Sequence, residues 1–200
     1  MSVFNEVKKR AIDILLSILC LTLLSPIIVI VVILIKLTSK GPILFKQKRI
    51  GKNKTIFTIY KFRTMSIDAP KDTPTHLIQY PNNYITTIGT FLRQTSIDEL
   101  PQIINILKGD MAIVGPRPAL WNQSDLIIER DIYDINSIQV GLTGWAQING
   151  RDNLSISEKV KLESWHINNN NIWSDIKCIL ITLPVVFLKK GVREGGPSNL

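Results

Sequence analysis

The stretch ILLSILCLTLLSPIIVIVVILI, residues 14–35, holds 22 consecutive positions without a charged side chain. At about 1.5 Å of rise per residue a helix of this length reaches across the roughly 30 Å hydrocarbon layer of a bilayer. Membrane contact follows from that. A secretory leader would also start with cations such as Lys8, Lys9 and Arg10, but its apolar part runs only about 7 to 15 residues and ends in small side chains. Two features weigh against a simple span. Pro26 falls mid-run, where it deletes one helical hydrogen bond, and Ser25 stands next to it to bond a freed carbonyl. Cations also flank both ends: Lys8, Lys9 and Arg10 before the run, Lys36, Lys40, Lys46, Lys48 and Arg49 after it. The positive-inside rule then assigns both ends to the cytoplasm. A helix that enters, breaks at Ser25-Pro26 and returns satisfies both facts, although spanning helices also contain proline and the span stays open. Asp13 is expected to pair with Lys9 or Arg10 at the interface.

Outward from this segment the chain reads as one unit. Residues 1–40 form the membrane helix and 41–200 a cytosolic and interfacial region; no internal repeat or low-complexity tract divides them. The 24 Lys plus Arg against 16 Asp plus Glu leave a net charge of +8, which favours phosphate-bearing partners without choosing among nucleic acid, lipid and small molecule. Cys20 and Cys178 have no partners at ligand spacing, so neither a zinc site nor a disulfide framework is expected. Two β-rich runs around Gly51-Lys52-Asn53-Lys54 predict a hairpin within 43–65, with Lys61 and Arg63 on one strand face. Residues 66–87 predict a surface loop with at most a short helix, and 88–93 a short helical piece.

A helix then carries Leu100, Ile103, Ile104 and Leu107 on one face and ends at Gly109. A buried strand over 111–114 leads into the stiff loop Gly115-Pro116-Arg117-Pro118. An acidic helical segment over 121–133 and a Gly-punctuated strand or turn over 141–150 follow. Ser155 and Glu158 form a capping box for a helix towards Trp165. The apolar segment 176–188, interrupted by Pro184, is too short to span and packs internally or lies against the membrane. The fold class is α+β, mainly helical with short β-strands.

The chemistry centres on Asp98 and Glu99, adjacent acids before Leu100-Pro101. Pro101 suits only the first turn of a helix, so the pair sits at a helix N-terminus. There Ser96 and Glu99 also match a capping box, and capping alone would account for the acids. The same placement keeps a carboxylate ionised, and two neighbouring carboxylates can hold Mg²⁺ against a diphosphate. Arg117, fixed between prolines, offers a fork to phosphate oxygens or is a plain turn residue. Arg93 and Arg151 are further cations able to reach a common anion. No Walker loop, no dinucleotide fingerprint and no nucleophile elbow is present; His76 and His166 form no metal pair, and His166 reads as packing or surface.

These motifs resemble the small monotopic phosphoglycosyl transferases of the bacterial sugar transferase family. The matching residues are Lys9-Arg10 with Asp13, the Ser25-Pro26 pair, Tyr60-Lys61-Phe62-Arg63-Thr64-Met65 and the run from Leu92 through Asp98-Glu99-Leu100-Pro101-Gln102. Asn105-Ile106-Leu107-Lys108-Gly109-Asp110-Met111, Val114-Gly115-Pro116-Arg117-Pro118 and Gly141-Leu142-Thr143-Gly144-Trp145-Ala146-Gln147-Ile148-Asn149-Gly150-Arg151 extend the match over nearly the whole chain. The resemblance implies a re-entrant helix at the cytoplasmic face of the bacterial inner membrane, Mg²⁺, and transfer of a phosphosugar from a UDP-sugar to polyprenol phosphate with release of UMP. It implies Asp98 as nucleophile, Glu99 as metal partner or base, and Lys61, Arg93, Arg117, Gln147 and Arg151 around the substrate. The implied partners are the UDP-sugar, polyprenol phosphate and membrane lipids, with a homodimer as the protein partner considered and no nucleic acid. Glycosyl transfer releasing UDP and a nonenzymatic basic membrane adaptor are the rival readings. Many relatives carry Arg-Pro where this chain has Gln139-Val140, so that cation is expected to be missing from the phosphate contacts. Without further N-terminal membrane helices the chain is expected to be a minimal catalytic form.

Overall fold

The computed structural model describes residues 3–70, 73, 78, 80–150, 153–169 and 171–187. Helix α1 spans Val3–Thr38 and continues across Pro26. The carbonyl that the missing Pro26 N–H would have engaged belongs to Thr22, and Ser25 Oγ donates to it at 2.8 Å. This is the local compensation expected of the Ser-Pro pair, but the expected break is not seen, since the helix is continuous through Pro26.

Two ends of α1 dock on the same body. Near its start, Arg10 donates to the carbonyls of Ile106 and Leu107, and Asp13 accepts from the Ile113 N–H at 3.2 Å. Lys9 pairs with Asp175 at 2.7 Å. Asp13 is therefore structural, as expected, but its partner is a backbone amide and not the neighbouring cations. Near its end, Val31 and Ile35 are buried against Phe62 and Leu92. Asp13, Ser17, Val31 and Ile35 recur at helical spacing on one side. The stretch between them leaves Ile18, Leu19, Leu23, Ile27, Val29 and Ile30 exposed, an apolar surface compatible with membrane association.

Strands β1 (Leu44–Ile50) and β2 (Ile56–Phe62) form the expected antiparallel hairpin, pairing Leu44 with Phe62 and Ile50 with Ile56. Its turn at residues 52–54 places Asn53 at φ 53°, a left-handed conformation that asparagine tolerates. The 66–87 segment carries a short turn over Pro81–Asn83 and a bridge between Met65 and Ile85. Helix α2 (Thr87–Gln94) starts with the Thr86 side chain accepting from Gly89 N–H.

Helix α3 (Gln102–Lys108) starts after Pro101, which stands at its cap and not in its first turn as expected, and ends at Gly109, φ 90°, as its sequence requires. Its buried face differs from the expected one. Gln102, Ile103, Asn105 and Ile106 point inward while Ile104 is exposed. The rotation is set by Asn105, fully buried, which accepts from Tyr60 N–H at 3.0 Å and donates to Thr58 O at 2.7 Å and Asp110 Oδ2 at 3.1 Å. Three satisfied polar bonds to β2 and the following turn outweigh one extra buried isoleucine.

Strand β3 (Ala112–Val114) pairs in parallel with β4 (Gly141–Thr143). Between them lies α4 (Ser124–Asp131), shorter than its acidic segment. Helices α5 (Trp145–Ile148), α6 (Ile156–Asn168) and α7 (Ile172–Phe187) complete the chain. The Ser155–Glu158 capping box forms, with Ser155 N–H to Glu158 Oε2 at 2.9 Å. Helix α7 starts earlier than expected and passes through Pro184. It buries Cys178 and bonds Thr182 to Thr143 at 2.6 Å while exposing Trp173 and Leu180. Both cysteines are free. The architecture is mixed α and β, mostly helical.

Removing the Asn105 clamp strands its backbone partners in the core. Asn105→Ala is expected to cost about 2–4 kcal/mol, read as a lowered thermal or denaturant midpoint in detergent. A change below about 0.5 kcal/mol would deny Asn105 this role.

Candidate active site

The turn Ile97–Glu99 joins α2 to α3 and holds the acid pair. The Ser96 capping box does not form: Ser96 adopts φ 54° and its side chain makes no cap. That left-handed residue reverses the chain after α2, and the acids therefore face the hairpin instead of serving their own helix.

Glu99 Oε1 accepts from Lys61 Nζ at 2.7 Å and from Arg117 Nη2 at 3.2 Å. Asp98 beside it is buried, 9% exposed, with Lys61, Arg93 and Arg117 as its electrostatic neighbours. Lys61 comes from β2, Arg93 from the last turn of α2, and Arg117 from the loop after β3. Arg93 is oriented by Thr64 Oγ1 at 2.9 Å. Residues separated by up to 56 positions thus converge on one carboxylate pair.

Arg63 does not join them. Strand β2 ends at Phe62, so two-residue alternation no longer applies, and Arg63 turns to Ser39 at the end of α1, bonding its carbonyl at 2.8 Å and hydroxyl at 2.6 Å. Gln139 donates to Gly109 O at 3.1 Å and Asp110 O at 2.6 Å. Position 139 therefore serves the far end of α3, away from the acids. Gln147 is buried on α5, and neither of its amide atoms has a hydrogen-bond partner among the described residues. A Cβ on Gly144 would lie 2.2 Å from Gly115 O and 2.8 Å from Gln147 Oε1, which places Gln147 directly behind the Arg117 loop. Arg151 lies outside the described residues, as does His76. His166 is buried, 3.3 Å from Asp175 and stacked near Trp145, a packing role as expected.

Sequence reasoning missed Arg49 and Gln47. The hairpin register places them on the face of Lys61, because Gln47 pairs with Ile59 and Phe45 with Lys61. Arg49 sits near Arg117 and Glu99; burial and the Arg117 charge bring it down to about 9, with Glu99 opposing. It also missed Arg130 and Glu163, a buried pair behind the site.

A carboxylate pair ringed by cations, beside an apolar helix, suits a reaction between an anionic diphosphate and a lipid. The profile of the family described as bacterial sugar transferase matches residues 4–189, which includes every residue of this cluster. The chain belongs to the bacterial sugar transferase family. Among similar proteins, the uncharacterized sugar transferase EpsL of Bacillus subtilis is 37% identical over 187 residues, covering 93% of this chain and 90% of that one. The UDP-glucose:undecaprenyl-phosphate glucose-1-phosphate transferase of Escherichia coli is 39% identical over 194 residues, covering 93% of this chain and 41% of that protein. The galactosyl transferase CpsE of Streptococcus agalactiae is 45% identical over 166 residues, 76% of this chain and 36% of that protein. The chain thus spans well under half the length of the latter two.

In this sugar transferase the Asp98 carboxyl is pushed up to about 6, first by burial and further by Glu99, against the pull of Lys61, Arg93 and Arg117. A folded-state value above the ordinary 3.8 means that the native state holds the proton more tightly than the unfolded chain between those limits. Asp98 therefore favours folding fully only below about pH 4, and its contribution is lost as pH rises through about 6. Asp98→Asn is expected to raise stability at pH 7.5 by roughly 1–3 kcal/mol and to match wild type at pH 4. Thermal melts at both pH values check this; a destabilised variant at neutral pH would contradict the burial argument.

Proposed function

We propose that the protein transfers a phosphosugar from a UDP-sugar to polyprenol phosphate, with Asp98 as a covalent nucleophile. The observation that carries this reading is a buried carboxylate held among Lys61, Arg93 and Arg117 in a member of the sugar transferase family. Relatives named as undecaprenyl-phosphate glucose transferases support both donor and acceptor class.

Asp98 is ionised above about pH 6 and needs no base to become a nucleophile. Its oxygen attacks the β-phosphorus of the donor; the bond from that phosphorus to the bridging oxygen breaks, and UMP leaves with the electron pair. An aspartyl phosphosugar remains. A phosphate oxygen of the polyprenol phosphate then attacks the same phosphorus, the acyl–phosphate bond breaks, and the carboxylate is restored with polyprenyl diphosphate sugar as product. Two anions must approach at each step, so Lys61, Arg93 and Arg117 are there to offset the charge that accumulates on phosphoryl oxygens.

Mg²⁺ fits this donor set, since it characteristically takes one or two carboxylates together with substrate phosphates. Asp98 and Glu99 would hold it, and it would supply further neutralisation of the diphosphate. Among the described residues no group of three or more His, Cys, Asp or Glu side chains that could hold a metal ion is present, so the protein's share of the coordination would be this carboxylate pair alone. Glu99, already engaged by Lys61 and Arg117, positions both cations whether or not it also serves as a base.

The membrane arrangement we propose is re-entrant, with both ends of α1 on the cytoplasmic face of the bacterial inner membrane. Docking of Arg10 and Asp13 at one end and of Val31 and Ile35 at the other onto the same body supports it, because a straight span would carry one end away. The site then lies at headgroup depth, where a soluble donor meets a lipid acceptor.

Membrane fractions given UDP-sugars and polyprenol phosphate should release UMP, and Asp98→Asn should lower that release by about a thousandfold or more while remaining membrane-bound. Comparable turnover by the variant rejects the nucleophile, and UDP as product rejects phosphosugar transfer. Pro26→Leu should straighten α1 towards a span, so that part of an N-terminal tag becomes shielded from a protease added on the cytoplasmic side. Unchanged cleavage would mean that Pro26 does not determine the topology.

A further inference from the structure

The loop that carries Arg117 has proline on both sides of it. Proline fixes φ at positions 116 and 118, and it biases the residue before it towards extended backbone. What remains adjustable is φ at Arg117 and, within limits, ψ along the stretch, which together set the direction of each carbonyl. Every carbonyl of the three-residue stretch is engaged. Pro116 O accepts from Gly141 N–H at 2.8 Å, Arg117 O from Arg130 Nη2 at 2.9 Å, and Pro118 O from Arg49 Nη1 at 3.0 Å.

The two arginines are themselves held in the same way. Gln47 Oε1 accepts from Arg49 Nε at 3.1 Å and Nη2 at 2.6 Å. Glu163 takes Arg130 as a fork, Oε2 from Nε at 2.8 Å and Oε1 from Nη2 at 2.6 Å. Arg130 and Glu163 are each only 2% exposed at the side chain. A buried ion pair is weak as a source of stability, because apolar residues of similar volume often do as well or better. Its geometric value is clearer, since a planar guanidinium held by two bonds aims its further donors in fixed directions. One of them, on Nη2, meets the Arg117 carbonyl. The Arg117 guanidinium, with 37% of its side chain exposed, then reaches Glu99 at 3.2 Å.

We infer that Arg49, held by Gln47, and Arg130, held by Glu163, are positioning residues that set where Arg117 presents its guanidinium to the anionic donor. The inference rests on the proposed role of Arg117 and assigns a task to four residues outside the acid cluster. It concerns the angle of one cation, so it predicts coupling to Arg117 and not a general loss of structure.

The test is a pair of double-mutant cycles. Arg49→Lys keeps a cation but loses the fork, and Glu163→Gln keeps the shape but loses the charge. Each is measured alone and combined with Arg117→Ala, as kcat/KM for UMP release with undecaprenyl phosphate. The donor is the fastest of UDP-glucose, UDP-galactose and UDP-N-acetylglucosamine, and thermal midpoints are taken in parallel. In the wild-type background each change should lower kcat/KM about tenfold or more, since small misplacements of a binding group carry losses of that order. In the Arg117→Ala background the same change should cost less than about twofold. Equal losses in both backgrounds overturn the inference, and so does failure of both variants to fold, which would make these residues structural. If only one fails to fold, the other cycle decides. Arg117→Ala with unchanged turnover removes Arg117 from the site and overturns the inference while leaving phosphosugar transfer standing. Wild-type protein that turns over no donor rejects the functional reading and the inference together.

Discussion

Two carboxylates on consecutive residues, one of them buried, repel each other and resist leaving water. The fold supplies the cations that make the arrangement tolerable, and it draws them from different elements. Lys61 arrives on the hairpin, Arg93 on α2 and Arg117 on the loop after β3. Each of those elements must be held in register for the cations to face the acids. Asn105 locks α3 to β2, the residues 141–143 strand locks the Arg117 loop, and Thr64 holds Arg93. The residual elevation of Asp98 is what these cations leave uncompensated.

The same body is tied to the apolar helix at its foot and near its end. Arg10 satisfies carbonyls in the last turn of α3, a favourable place for a cation at a helix C-terminus, and Asp13 reaches β3. Since α3 begins beside the acid pair, the membrane helix and the reactive turn are joined through one short rigid element. Lys9 adds Asp175 on α7, whose own carboxyl stays below its ordinary range despite burial because His166 and Lys9 face it. The placement of the apolar helix and the position of the acid turn are therefore set by one set of contacts.

Much of the site was legible because its residues sit in runs whose local chemistry is unusual. Asp98-Glu99 before Pro101, and an arginine between two prolines, both narrow the backbone enough to suggest a purpose. The hairpin, the glycine stop after α3 and the Ser155–Glu158 cap follow local rules and appeared where expected. What failed were readings that depend on tertiary partners. Ser96 has the composition of a cap but takes a left-handed conformation that turns the acids outward from their helix. Of the expected face Leu100, Ile103, Ile104 and Leu107, Ile104 is turned out by one buried asparagine, whose three partners lie on other elements or beyond the helix end. Arg49 read as one cation among many beside a membrane, and only the strand register reveals that it shares the Lys61 face. Arg130 and Glu163 lie 33 positions apart with no motif around them, so nothing in the sequence pairs them.

The most direct test of the account is chemical. The protein, incubated with donor and no acceptor and then quenched, should yield a peptide containing Asp98 that carries the added mass of one phosphosugar, released when polyprenol phosphate is supplied before the quench. A preparation that turns over normally with both substrates yet never shows that adduct would contradict a covalent role for Asp98.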